Sequence, residues 1–493
     1  MIVLYVDAWG LTELDELGTN ANEINRRLAD LDSTICYELI VNKLYNISSQ
    51  LNILGKKIRL VGQGGFKAIT YGMTMIKVTN CPDILFKNIL FDGGGLARNG
   101  IDIENSPRFS FDNVRIQNIG NTTLNNVHGI FISHGNDGGI SYCLKVQNII
   151  SSSSSSGVAI DNVRDNTRFS KSLLFQKCEI INIQPSSDAD GIKVLQISHE
   201  SDITIESSRF IKCAKRGIKA QSKKVFSRNN YIEDSYFAAI DFQSGEGVSE
   251  NDRVFITEGF TADQLIALSG NDNEVRGLRA NVLSINQQET SGIVVSGLAG
   301  SMVNKVKLEN VEIKGTRYPI QLFPEIAIGE LSISRSVFSG FSGSYVIPSP
   351  KPSAITKIHL DGNVAIPATT YYGFIHGDIG RATKYMLINN DVGTLLFGSA
   401  FARTEGTIRG NIGHLFEEEK GIRKYYTNTI PSATNSAIYH YAKKGDVAIN
   451  TNIAELGVAG MKYIIKRWIC IADGNYSTSN KGTWIEDRIL TGA

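Results

Sequence analysis

Five aspartates are the first candidates for chemistry because of where they fall relative to a recurring strand. In GIDI (Gly100 to Ile103), GIFI (Gly129 to Ile132), GVAI (Gly157 to Ile160) and GIKV (Gly191 to Val194), the residue five beyond the last is Arg108, Asp137, Asp165 and His199. If consecutive copies stack, one rung is roughly 4.8 Å, and Asp137 with Asp165 becomes a carboxylate pair. Carboxyls about 5 to 5.5 Å apart suit retaining glycoside hydrolysis, and about 6.5 to 9.5 Å suits the inverting route. Crowding also raises one of the two pKa values, as a general acid requires. The plain alternative is that Asp in GNDGG and VRDN serves the turns.

A second concentration lies one residue before the strand glycine and two after it. His128, Ser156, Asp190 and Arg216 form one expected column, and Phe131, Ala159, Lys193, Lys219 and Asp241 form another. Asp188 and Asp190 sit in SSDADGIKV, and Asp161 in GVAIDNV on the preceding copy. In strict register Asp161 and Asp190 stand at opposite ends of the strand, so they pair only if the loop folds back. Asp137, Asp161, Asp165, Asp188 and Asp190 are therefore the candidate acids, bases or nucleophiles of a hydrolysis. His128, His134, Arg164, Lys193, Arg216, Lys219 and Asp241 are the candidate groups for sugar hydroxyls and charges. Lys193 and Arg216 also suit the rival β-elimination, which needs a base at C5 and cations beside the uronate carboxylate. A salt-bridged surface is the bland reading of the same residues.

Those side chains need a repeating scaffold. The strand pattern recurs about once every 26 to 29 residues, through GIKA, AIDF, LIAL and GIVV to PIQL (Pro319 to Leu322). Apolar residues alternate within each copy, which turns every second side chain to one face. A further strand follows in most copies, as in FSFDNVRI (Phe109 to Ile116). The connections are Asn, Gly and Ser, with no room for a long helix. One such unit cannot bury its apolar face, but a stack of them can. The expected fold is all-β: a right-handed single-stranded parallel β-helix of about twelve coils, with leucine-rich repeats as the structural rival.

Three regions are expected: residues 1–70 as an N-terminal cap, 71–422 as the β-helix body, and 423–493 as a small C-terminal β module. TNANEINRRLADLD reads as an amphipathic helix with Ile24, Leu28 and Leu31 on one side and Thr19 or Asn20 as its cap. A helix there would cover an open coil end. In the last region, Trp468, Ile469 and Trp484 are expected to form a small core.

Composition narrows the function classes. A net charge of +1 gives no polyanion-binding surface of the nucleic-acid type. The six cysteines are scattered without CxxC or metal-ligand spacing, so reduced structural thiols are expected. Seven histidines are likewise scattered, and no phosphate loop or GxSxG elbow occurs, so neither cofactor nor metal is expected. MIVLYVDAWG lacks a basic leader, and no apolar run reaches membrane-spanning length. Synthesis in a cytosol, with no membrane insertion, is the expectation.

Two stretches resemble known families. VDAWGL, NANEINRRLADLD and YNISSQLNILGKKIRLVGQGG (Tyr45 to Gly65) together resemble the opening of pectate-lyase-superfamily β-helices, although LTELDELGTN replaces their acidic Gly-Asp-Gly-Thr-Asp run. The ending, with GDVAINTN, WICIADG and GTW, is similar to the C-terminal region of tailspike proteins of bacteriophages that attack encapsulated bacteria. The resemblance implies a homotrimer on a phage tail or baseplate that degrades or binds bacterial capsular polysaccharide. Hydrolysis inside the chain is the leading expectation, with a lyase or a non-catalytic adhesin as alternatives.

Overall fold

The computed structural model describes residues 1–15, 18–185, 187–197, 199–283, 289–296, 302–323, 326–348, 354–369, 373–375, 384–391, 405–411, 416–434 and 437–492. The chain is all-β, a parallel β-solenoid of about 13 turns with a small C-terminal β module. It divides into two compact units, residues 1–298 with 311–319, and residues 299–310 with 320–493.

In the first unit each coil contributes strands to three parallel ladders. One coil runs Asn99–Glu104, Phe109–Asp112 and Arg115–Ile119, and the next runs Val127–Ile132, Ile140–Tyr142 and Lys145–Ile150. FSFDNVRI is thus two strands rather than one. The break is Asn113, whose φ of 52° is the left-handed conformation that Asn tolerates best after Gly. Asn88, Asn229 and Asn251 turn the same corner in other coils, and the Asn113 amide donates to Asn88 one coil below at 2.8 Å.

Inward residues stack in register, from Ile101 to Ile130, Val158, Ile192 and Ile218. All five are fully buried, each a contribution of about 1.5–3 kcal/mol by apolar burial. Parallel pairing already begins below residue 71, with Ile2–Tyr5 on Cys36–Ile40 and Leu51–Leu54 on Thr74–Thr79. The helix spans Asn20–Asp30 and buries Ala21, Ile24 and Leu28, lying with Val6 and Trp9 against Leu39 and Leu51. Thr19 holds the cap position without a side-chain bond. Asp15 accepts from the Asn20 backbone instead, at 2.9 Å.

A glycine inside several first-ladder strands, among them Gly100, Gly129, Gly157 and Gly191, bends the chain. Simple alternation would place residues 190 and 193 on opposite faces, yet both turn outward. A Cβ on Gly191 would lie 2.7 Å from Phe210 Cδ1, and one on Gly157 would lie 2.6 Å from Ile180 Cγ2, both core side chains. Two consecutive positions therefore face the core, Gly191 and Ile192, and only glycine leaves space for the first. The two outward columns flanking that bend share one face.

In the second unit, Met302–Glu309, Ala327–Ser334, Ala354–Asp361, Lys384–Ile388 and Glu405–Arg409 continue as parallel neighbours. Pairing then turns antiparallel at Phe416–Glu419 and Ile422–Thr427. A long hairpin of Lys462–Ala472 and Thr483–Gly492 closes the chain. Its inner face packs Trp468, Cys470 and Trp484 with Tyr425 and Tyr439. Ile469 belongs to the opposite face, paired with Ile485, so Cys470 takes the core place expected for it. No disulfide joins the six cysteines, and Cys143 is half-buried at a corner rather than in the core.

Candidate functional site

The outward face of the first ladder carries both columns read from the sequence. His128 pairs with Ser156, Ser156 with Asp190, and Asp190 with Arg216 on successive rungs. Phe131, Ala159, Lys193, Lys219 and Asp241 form the second column, which Asp102 extends by one rung. Although they face away from the core, Asp190 is 0% exposed, Asp241 1% and Arg216 5%.

Arg216 organises the centre of this face. Its Nε donates to Asp241 Oδ2 at 2.6 Å and its Nη1 to Asp190 Oδ1 at 3.2 Å. The guanidinium lies 4.7 Å from the Phe237 ring centroid. Asp188 also reaches this Nη1, at 3.7 Å. Its other oxygen accepts from Lys193 Nζ at 2.9 Å and Ser154 Oγ at 3.0 Å.

Two neighbouring carboxyls are thereby pushed in opposite directions. Burial raises the pKa of Asp190, against the pull of Arg216 and Lys219. Asp188 is only half-buried, and against the burial that would raise it the Lys193 bond and charge hold its carboxyl well below the usual range. Burial likewise raises Asp241. A shared Nη1 at 3.2 and 3.7 Å keeps Asp188 and Asp190 inside the roughly 9.5 Å limit for a glycosidase carboxyl pair. Environments that separate two carboxyls in this way create one proton donor and one standing anion.

One column also carries buried polar atoms without a hydrogen-bond partner among the described residues: Asn99 Oδ1, His128 Nδ1, Ser156 Oγ and Asp190 Oδ2. They stand on four successive rungs. Buried polar groups ordinarily find partners, so such a file is suited to ligand or solvent hydrogen bonds. His128 is neutral there, since burial lowers its pKa to about 3, and it lies against Phe131 with ring centroids 5.4 Å apart.

The remaining candidates fall elsewhere. Asp137 is exposed and pairs with Lys171 at 3.5 Å. Lys171 is also its backbone partner on the next coil, so Asp165 does not stand on the rung beside it. The cause is the longer loop of that coil, in which Asp165 closes its own turn: it accepts from Thr167 and from Arg168 Nε at 2.7 Å. Those bonds hold it low. Asp161 is half-buried at the far end of its strand and accepts from the Val163 backbone at 2.8 Å, with its pKa raised by burial. Arg164 reaches back two coils to grip Asp102 at 2.9 and 2.6 Å, over the Phe131 ring at 4.8 Å. His134 is buried, 3.1 Å from Ser133 Oγ and 3.8 Å from Glu104.

Sequence reading missed Ser154, Lys215, Phe237 and Asp102. Counting one rung back from Phe131 finds Asp102. Nothing in the run of six serines singles out Ser154, because its role depends on the fold of the Asp188 loop. Among the described residues no group of three or more His, Cys, Asp or Glu is placed to hold a metal, and no helix is long and apolar enough to cross a membrane.

No protein-family model matches the sequence, and no curated protein matches it. Solved structures do match in fold. A tailspike protein variant of E. coli bacteriophage HK620 is similar at a TM-score of 0.58 and 11% identity, covering 99% of this chain and 92% of that one. A further variant of that tailspike, in complex with a pentasaccharide, is similar at 0.55 and 10% identity over 99% and 92% of the two chains. The Dettilon tailspike protein aligns at 0.47 and 12% identity over 73% and 68%. At these identities the likeness is one of fold.

Proposed function

We propose that this chain is a phage tailspike depolymerase, cutting a bacterial capsular polysaccharide at internal bonds by hydrolysis. The observation that carries the proposal is the Asp188 and Asp190 pair, two carboxyls on one arginine nitrogen with opposed pKa shifts. Asp190 would be the proton donor to the leaving oxygen, and Asp188 the anion that attacks or activates water. The file of unpartnered polar atoms beside them runs along the stack, the direction a polymer would follow. The fold shared with a pentasaccharide-binding tailspike is consistent with that use.

Assembly as a homotrimer on a virion tail or baseplate is part of the same reading. Its support is the outer face of the C-terminal hairpin, which leaves Ile471, Ile485 and Ile489 between 42% and 48% exposed. Second and third copies would cover such a stripe.

β-Elimination is the competing chemistry. It is favoured by Lys219, whose pKa burial lowers next to Arg216, whereas Lys193 is engaged with Asp188 and Ser154. The test is purified protein incubated with capsules from a panel of encapsulated strains, read by the size of the polymer. The proposal expects one capsule to shorten into oligosaccharides. Asp190→Asn should lower that turnover by about 10² to 10⁴ while polymer affinity persists. Binding without shortening on the capsule recognised would favour an adhesin.

A further inference from the structure

Four cations converge on one accessible carboxylate of this face. Lys193 Nζ lies 2.9 Å from Asp188 Oδ2, while Lys215 Nζ, Arg216 Nη1 and Lys219 Nζ lie 3.6, 3.7 and 4.0 Å from Oδ1. The three contacts on Oδ1 are beyond hydrogen-bonding distance. The other two acids of the cluster, Asp190 and Asp241, are buried.

The donors are unevenly used. Lys193 donates to Asp188 and Ser154, Lys215 to the Ser187 carbonyl at 2.7 Å, and Arg216 to Asp190 and Asp241. Lys219 donates to none of the described residues, although its side chain is only 12% exposed. A largely covered lysine side chain with its ammonium donors idle leaves those donors open to an incoming anion. Charge-assisted bonds to a carboxylate would engage them. With Asp190 holding the proton its role requires, four cations against Asp188 and Asp241 leave positive charge in excess, which favours an incoming anion.

We propose that Lys219, with Lys215 and the Arg216 Nη1 edge, is a carboxylate-binding subsite, and that the glycan taken by this face carries acidic sugars. The inference rests on the reading of this face as a polysaccharide groove. Asp188 stays in place and shares the three cations with the incoming carboxylate. The two negative charges oppose each other, so substrate affinity is set against the standing anion.

Calorimetric titration of the full-length protein with glucuronate, and with glucose at the same ionic strength, tests this. Glucuronate should bind about tenfold more tightly than glucose or better. Lys219→Gln should erase most of that preference and leave glucose binding unchanged. Asp188→Asn should strengthen glucuronate binding several-fold by removing the competing charge. Equal affinity for the two sugars in the unaltered protein overturns the proposal, as does an undiminished preference in a folded Lys219→Gln variant. Should that variant fail to fold, Asp188→Asn decides, and unchanged or weaker glucuronate binding overturns it. A neutral capsule cut by a protein indifferent to glucuronate would sink the subsite and spare the depolymerase. Selective glucuronate binding without cleavage of any recognised capsule would do the reverse.

Discussion

Replacing Arg216 by Met should expose how the centre of the groove is held together. The thioether side chain retains much of the contact with Phe237, so the main loss is the guanidinium between Asp190 and Asp241. Breaking a buried ion pair from one side costs about 3–5 kcal/mol, because the partner charge remains without compensation. Here two carboxyls are left. Each can escape by taking a proton, so the cost depends on pH. Burial already raises both pKa values above the unfolded reference of about 3.9, and loss of the cation raises them further. A group raised in the folded state contributes fully below its unfolded pKa and loses that contribution as pH rises through the folded value. The Arg216→Met variant should therefore be weakest at pH 7 and recover as pH falls toward 5. Guanidinium unfolding at the two pH values, followed by tryptophan fluorescence, measures both. A loss under about 1 kcal/mol at pH 7 would refute the buried-charge account, as would an equal loss at pH 5.

Other substitutions address different links. Gly191→Ala places a Cβ 2.5 Å from the Gly217 carbonyl oxygen and 2.7 Å from Phe210. It should cost roughly 1–3 kcal/mol by overpacking and lower turnover by displacing Asp190, measured by thermal melts and polymer shortening. Trp484→Ala empties the small core against Tyr425 and Tyr439. About 3–5 kcal/mol should be lost, with sedimentation showing a smaller share of the proposed trimer. Asp137→Asn and Asp165→Asn remove only partly exposed pairs with Lys171 and Arg168. Solvent screens both pairs, so unfolding should be essentially unchanged, with turnover near that of the unaltered chain.

What could be read from the sequence was register, because alternation and stacking are local rules. The His128 to Arg216 and Phe131 to Asp241 columns follow from counting outward from each strand glycine, or from Ala239 in its place. Counting failed where a loop changed length. The coil holding Asp165 adds a turn before Lys171, so the expected partner of Asp137 moved off its rung. The bend at Gly191 was also invisible to alternation, since two successive inward positions break a period of two. Ile469 and Cys470 were exchanged for a related reason. The bulges of the terminal hairpin set which of two adjacent residues meets Trp484. Long side chains added the rest: Arg164 crosses two coils to Asp102, a contact that no rung count anticipates.

The central claim is that Asp188 and Asp190 direct water to a glycosidic bond. Cleavage of the recognised capsule in ¹⁸O-labelled water, with products read by mass and ultraviolet absorbance, tests it most directly. The account predicts products that have gained one labelled water per bond, no new absorbance, and loss of both cleavage and label in Asp190→Asn. Shortening accompanied by the absorbance of an unsaturated uronate and no label would contradict it, and would move the chemistry to Lys219 and Arg216.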